Sequence, residues 1–228
     1  MTTPEFIAHR GDATRQPENS MAALAGALAG GVGHVECDLQ VNRSGTLVVL
    51  HDADFERTHH CNLSVFEHVD GREPQLPTAR DVLDLAAEYP GSTMYFEIKH
   101  DSIEHWGDGY VLEQLKPLLA GIGPHVLLTR SAEFLAQARS AGFARVGVIL
   151  RDWSEAVRRQ LTAMAPDFLV INIRRVPAGE RLWPGPWQWA VYEVGDLGTA
   201  DAWGRRGADF VISFNAVQLH QQRQAHPQ

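Results

Sequence analysis

Short apolar runs alternate with longer stretches of helical periodicity along most of the chain. The runs at 5–9, 34–39, 46–51, 93–98, 125–128, 145–150, 168–171, 188–194 and 209–212 are apolar and edged by turn residues, which predicts strands. Helices are predicted near 19–30, 78–88, 109–120, 131–141, 152–164 and 196–206, with a weaker one over 215–223. Ser131 and Asp152 stand just ahead of helical runs, where a side-chain oxygen can accept an unpaired backbone N–H. Asn19 or Ser20 fits the same role before a helix starting near Met21. Gly142 and Gly207 follow helix ends, where glycine tolerates left-handed backbone.

Strand–helix alternation implies a mostly parallel sheet covered by helices, an α/β fold. Periodicity alone leaves a closed barrel and a doubly wound open sheet both available. Nine strand candidates are one more than an eight-stranded barrel uses. The link between Leu39 and Thr46 is too short for a helix, so that region is expected to be irregular. The stretch 172–187 reads as a loop, because Pro184 and Pro186 follow Trp183.

The 228 residues show no internal repeat, low-complexity stretch or clear linker, so one domain over 1–228 is the simplest organisation. A hydrophobic share of 44% and a charged share of 21% are those of a globular protein. The net charge of −8 argues against nucleic acid or an anionic membrane surface as partner. No apolar stretch approaches the roughly 20 residues that span a bilayer, so no stable membrane insertion is expected. The start of the chain lacks a basic-then-apolar leader. Cys37 and Cys61 form no C-x-x-C pair and read as free thiols in a reducing compartment, so a cytoplasmic location is expected. Nothing in the sequence sets the oligomeric state.

Ionisable residues gather at the carboxyl ends of the early strands, where barrels place their active sites. The first ends in His9-Arg10-Gly11, the second carries Glu36-Cys37-Asp38, the third ends in His51-Asp52 and the fourth carries Glu97-Ile98-Lys99. With a period of two, Glu36 and Asp38 share one face, and Glu97 and Lys99 share one. Three carboxylates on a common inner face would force at least one to stay protonated. A divalent cation removes that conflict, and all-oxygen ligation favours Mg²⁺ or Ca²⁺ over zinc. Ion pairs with Arg10 and Lys99, or simple solvation, would also satisfy these acids. His9 and His51 suit proton transfer near neutral pH. Arg10 and Lys99 suit a phosphate, one as a planar fork and the other as a point charge.

Several other features have plainer readings. His59, His60, His100 and His105 read as structural histidines. Glu18 sits near the top of the first strand and suits a supporting role around a metal site. Trp183, Trp187 and Trp189 crowd one stretch, where packing is the first reading and a wall for an apolar substrate the second. Gly30-Gly31-Val32-Gly33 lacks the following Lys-Ser/Thr of a phosphate loop and reads as a helix stop.

Six fragments in register resemble the glycerophosphodiester phosphodiesterase family: His9-Arg10-Gly11, Pro17-Glu18-Asn19-Ser20, Glu36-Cys37-Asp38, Val48-Val49-Leu50-His51-Asp52, Leu76-Pro77-Thr78 and Glu97-Ile98-Lys99. A looser echo of the last strand occurs at Gly207-Ala208-Asp209-Phe210-Val211-Ile212. The resemblance implies a TIM-type (β/α)8 barrel, irregular after the second strand, with a short or absent cap insertion. It implies one divalent cation, Mg²⁺ or Ca²⁺, held by Glu36, Asp38 and Glu97. His9 and His51 would be the acid–base pair, and Arg10 and Lys99 the phosphate contacts. The implied reaction is hydrolysis of a small-molecule glycerophosphodiester to glycerol phosphate and an alcohol, through a cyclic phosphate. Hydrolysis of lysophospholipids on the same site and a non-catalytic binding barrel are the alternatives. The chain departs from the family pattern at Tyr192-Glu193-Val194, where Thr-Val-Asn is usual, and at Ser213-Phe214, where Thr-Asp is usual.

Overall fold

The structure, a computed structural model, describes residues 3–67, 74–119 and 124–225. In chain order its elements are β1 (Glu5–His9), α1 (Met21–Ala29), β2 (His34–Val41), β3 (Leu47–Val49), β4 (Asp54–Phe55), α2 (Glu56–His59), β5 (Cys61–Ser64), α3 (Ala79–Ala87), β6 (Thr93–Ile98), α4 (His100–Trp106) and α5 (Asp108–Leu119). They continue as β7 (His125–Thr129), α6 (Ala132–Ser140), β8 (Val146–Leu150), α7 (Glu155–Met164), β9 (Phe168–Asn172), β10 (Gln188–Tyr192), α8 (Leu197–Arg206), β11 (Phe210–Ser213) and α9 (Ala216–Ala225). Position 120, the expected end of the 109–120 helix, lies outside the described residues.

The sheet runs β1-β11-β10-β9-β8-β7-β6-β2-β3, and a further β1–β2 pairing closes it. Every pairing among β1, β2 and β6–β11 is parallel, which gives a closed eight-stranded barrel and excludes the open sheet. The ninth candidate, 46–51, is β3, and it pairs antiparallel with β2 outside the barrel order. Its short connection to β2 permits a hairpin and forbids a crossover. After β3 the chain forms the small β4–β5 pair and α2 where an ordinary barrel would place a helix.

Strand alternation divides the core into two layers. Ile7, Tyr95, Val126, Leu128, Ile149, Phe168, Val170 and Ile212 fill the barrel. Their strand neighbours Ala8, Met94, Phe96, Leu127, Val148, Leu169 and Val211 pack outward against the helices. Gly147 makes room inside the barrel, since a Cβ there would stand 2.7 Å from the Phe168 Cβ and 2.8 Å from the Leu128 Cδ2. Trp183, Trp187 and Trp189 belong to the outer layer, and the Trp183 carbonyl accepts the indole N–H of both others.

Side-chain caps set most helix starts. Ser20 accepts from the Ala23 N–H, Ser131 from Phe134 and Asp196 from Thr199. Thr78 and Asp81 form a reciprocal capping box on α3. Asp152 is not the cap of α7: Ser154 takes that role and the helix begins at Glu155. Trp153 stacks on Trp183 with 3.8 Å between centroids and donates to Glu180, so Trp153 serves that contact instead of the first turn.

Candidate active site

Register alone assembles the cluster. Ile7 points into the barrel, so His9 does too, one step higher. His9 pairs with Glu36 across β1–β2, and Asp38 pairs with Glu97 across β2–β6. Cys37, Phe96 and Ile98 take the outward positions. Glu36, Asp38 and Glu97 each bring one carboxylate oxygen within 4.8 Å of the other two. His9, Arg10, Glu36, His51 and Glu97 line one cavity of about 170 Å³ at the carboxyl end of the barrel. Asp38 and Lys99 are buried beside it, with side chains 1% and 3% exposed.

The three acids are not equivalent. Glu36 accepts the Arg10 N–H at Oε2, but its buried Oε1 has no hydrogen-bond partner. Burial, then the charges of Asp38 and Glu97, push its pKa well above the ordinary value. Burial also acts to raise Asp38, but Lys99 and Arg10 outweigh it and hold that carboxyl at about 2. The Asn19 amide clamps Asp38 from the other side, donating 2.8 Å to Oδ2 and accepting the Asp38 N–H. Lys99 Nζ lies 2.8 Å from Glu97 and 3.2 Å from Asp38. Arg10 spends Nη1 on Glu18 at 2.8 Å, and its Nε lies 3.1 Å from Asp38 at an angle unsuited to a hydrogen bond.

The histidines also differ. His9 is pressed down to about 3 by burial and then by the Arg10 charge, so its imidazole is neutral at pH 7. Its ring stacks on Phe214 at 4.3 Å, and Nε2 stands 3.9 Å from Glu36. His51 places Nδ1 2.6 Å from Asp52 Oδ1. Burial raises Asp52, but hydrogen bonds from His51 and Arg57 bring it below its ordinary value, so it is a carboxylate and Nδ1 is the donor. Arg57 bridges Asp52 to Glu18, each at 2.6 Å, and Glu18 in turn holds Arg10.

The donor set fits a hard divalent cation. Three carboxylates converge, and the orphaned Glu36 Oε1 is a buried ligand atom lacking a partner. The ion pairs foreseen with Arg10 and Lys99 are also present, so the cluster is compatible with either reading of these acids.

Residues 9–118 match the sequence model of the glycerophosphoryl diester phosphodiesterase family. A glycerophosphodiester phosphodiesterase of Caldanaerobacter subterraneus is 46% identical over 52 residues, 23% of this chain and 21% of that protein. The bovine glycerophosphodiester phosphodiesterase 1 is 30% identical over 111 residues, 41% of this chain and 33% of its own. The chain thus covers a fifth to a third of these relatives. Among solved structures, an Oleispira antarctica phosphodiesterase in complex with the product sn-glycerol-3-phosphate superposes with a TM-score of 0.81 at 18% identity, covering 96% of each chain. The Thermotoga maritima glycerophosphodiester phosphodiesterase gives 0.78 at 14% identity, covering 98% of this chain and 100% of the other. These phosphodiesterases share the barrel fold.

The cavity also holds residues that the motifs did not reveal. Arg130, Tyr192, Glu193 and Phe214 line it from the later strands. Asp52, which holds His51 Nδ1, was given no role by the motifs, although its place next to a motif histidine was a signal for one. Nothing local marks Arg130, and the left-handed backbone of Glu193, at φ 71°, is not written in its side chain. The tryptophans of 183–189 are not among the cavity residues. No helix among the described residues is long and apolar enough to cross a membrane.

Proposed function

We propose that this chain hydrolyses glycerophosphodiesters to glycerol phosphate and an alcohol, with a divalent cation held by Glu36, Asp38 and Glu97. The supporting observation is a cavity in which two histidines flank converging carboxylates, one with an orphaned oxygen. Mg²⁺ or Ca²⁺ there would supply Lewis-acid neutralisation of developing oxygen charge.

His9 lines the cavity with Nε2 3.9 Å from Glu36, and from there it is placed to take the proton from the glycerol hydroxyl that attacks phosphorus. His51, whose Nδ1–H is held by Asp52, is suited to carry a second proton on Nε2 and give it to the departing alcohol oxygen. The bond from phosphorus to that oxygen breaks as the cyclic phosphate forms. Water then opens the ring: His51 takes its proton, and His9 returns the first proton to the glycerol oxygen. Arg10 and Lys99 offset the acids' charge and favour an anion above them. The lysophospholipid alternative relied on the tryptophan stretch, which packs in the outer layer and gives it no support. Two free cysteines suit a reducing compartment such as the cytoplasm.

The test is release of glycerol 3-phosphate from glycerophosphocholine or glycerophosphoethanolamine by the purified protein with Mg²⁺, with Ca²⁺ and with EDTA. Turnover that survives EDTA would refute the metal assignment, and no turnover with either ion would refute the reaction.

A further inference from the structure

We infer that Arg130 is the side chain that directly grips the substrate phosphate, an inference that rests on the phosphodiester reading of this cavity. The cations around the acids are unequally committed. Lys99 is 3% exposed, bound to Asp38 and Glu97, and does not line the cavity. Arg10 lines it, but its side chain is 11% exposed and engaged by Glu18 and Asp38. Arg130 lines the cavity with a side chain 35% exposed. Its one ion pair among the described residues is the approach of Nε to Glu97 Oε1 at 3.9 Å, beyond hydrogen-bond reach. Both Nη groups thus keep the planar fork that matches two phosphate oxygens.

Placement agrees with that role. Around the barrel the order is β1, β2, β6, β7, so Arg10 and Arg130 approach the acids of β2 and β6 from opposite sides. Arg130 is also fixed in position. The buried Thr129 hydroxyl accepts the Ser131 N–H at 3.1 Å, and Ser131 caps α6, so both neighbours in the chain are anchored. A phosphate carried over the acid cluster would lie within the sweep of the Arg130 guanidinium and close to both histidines.

The test measures binding of inorganic phosphate and of sn-glycerol 3-phosphate by calorimetry with Mg²⁺ present, using wild type, Arg130→Met and Arg130→Lys. Arg130→Met should weaken both anions about 10- to 100-fold, and Arg130→Lys should fall between it and wild type. Mg²⁺ affinity without phosphate should change by less than about threefold, because Arg130 makes no close contact with the carboxylates. In turnover the loss should appear chiefly in KM. Anion affinity in Arg130→Met within twofold of wild type, or no measurable anion binding by wild type, would overturn the inference. Wild type that binds phosphate through Arg130 yet cleaves no glycerophosphodiester would refute the proposed reaction and leave the contact standing.

Discussion

Strands β1, β2 and β6 bring His9, Glu36, Asp38 and Glu97 to the barrel rim, whereas β7 to β11 bring Leu128, Ile149, Val170, Tyr192 and Ile212 to the same cavity. One half of the rim concentrates charge and proton donors, and the other provides a mostly apolar wall. The family match covers 9–118, which is the charged half. The difference shows how a barrel can gather its ionisable groups on a few adjacent strands, where register fixes distances, and leave the shape of the cavity to the others. Arg130 and Glu193 are the charged exceptions on the second half, so substrate preference is the property most exposed to change there.

That division can be broken experimentally. The largest effect is expected for His51→Ala, which should lower turnover about 10²- to 10⁴-fold with little change in Mg²⁺ affinity; an equal loss of metal binding would merge the two roles. Glu97→Gln should weaken Mg²⁺ or Ca²⁺ binding by about 10²-fold, read by calorimetry, since it removes a ligand charge next to Lys99. Unchanged affinity would place the ion elsewhere. Asp52→Asn should reduce turnover by about tenfold, by freeing the His51 ring from its fixed tautomer, and should leave KM nearly constant.

A smaller effect concerns pH. In metal-free protein the Glu36 pKa stands above its ordinary 4.5. The stability linked to that group is therefore full below pH 4.5 and is lost as pH rises toward the raised value. Glu36→Gln should flatten that part of the profile in EDTA, measured by thermal unfolding, while wild type regains stability on adding Mg²⁺. Parallel profiles for the two proteins would contradict the origin given for the shift. The smallest functional effect belongs to the outer layer. Trp187→Phe should cost about 1–2 kcal/mol of stability through one lost hydrogen bond and looser packing, with KM unchanged. A shifted KM would bring the tryptophans into the substrate wall after all.

Most of the barrel was legible because parallel strands buried on both faces leave short apolar runs, and β1, β6 and β8 stand close to where those runs fall. Closure came from the family resemblance and was not legible in the periodicity, because it depends on β1 meeting β2 on one side and, across more than 200 residues of chain, β11 on the other. The antiparallel direction of β3 was carried only by the short link from Leu39 to Thr46, which leaves no room for a crossover, since an apolar run carries no sign of its direction. The Asp152 cap failed because a tertiary stack of Trp153 on Trp183 outweighed a local preference. Within the site, a two-residue spacing was enough to put Glu36 beside Asp38. Which cation stays open to substrate depends on how carboxylates divide Arg10, Lys99 and Arg130 among themselves, and that is settled only in three dimensions.

The loop that carries Arg10 has almost no slack. A Cβ on Gly11 would stand 2.4 Å from the Ala23 carbonyl carbon, and the Asp12 N–H donates to the Ala23 oxygen at 2.8 Å. The rim that carries His9 and Arg10 is therefore moored to a helix on the outside of the molecule. Whatever shakes α1, such as heat, a bound antibody fragment or an engineered joint, should be felt at the first histidine before it disturbs the rest of the barrel.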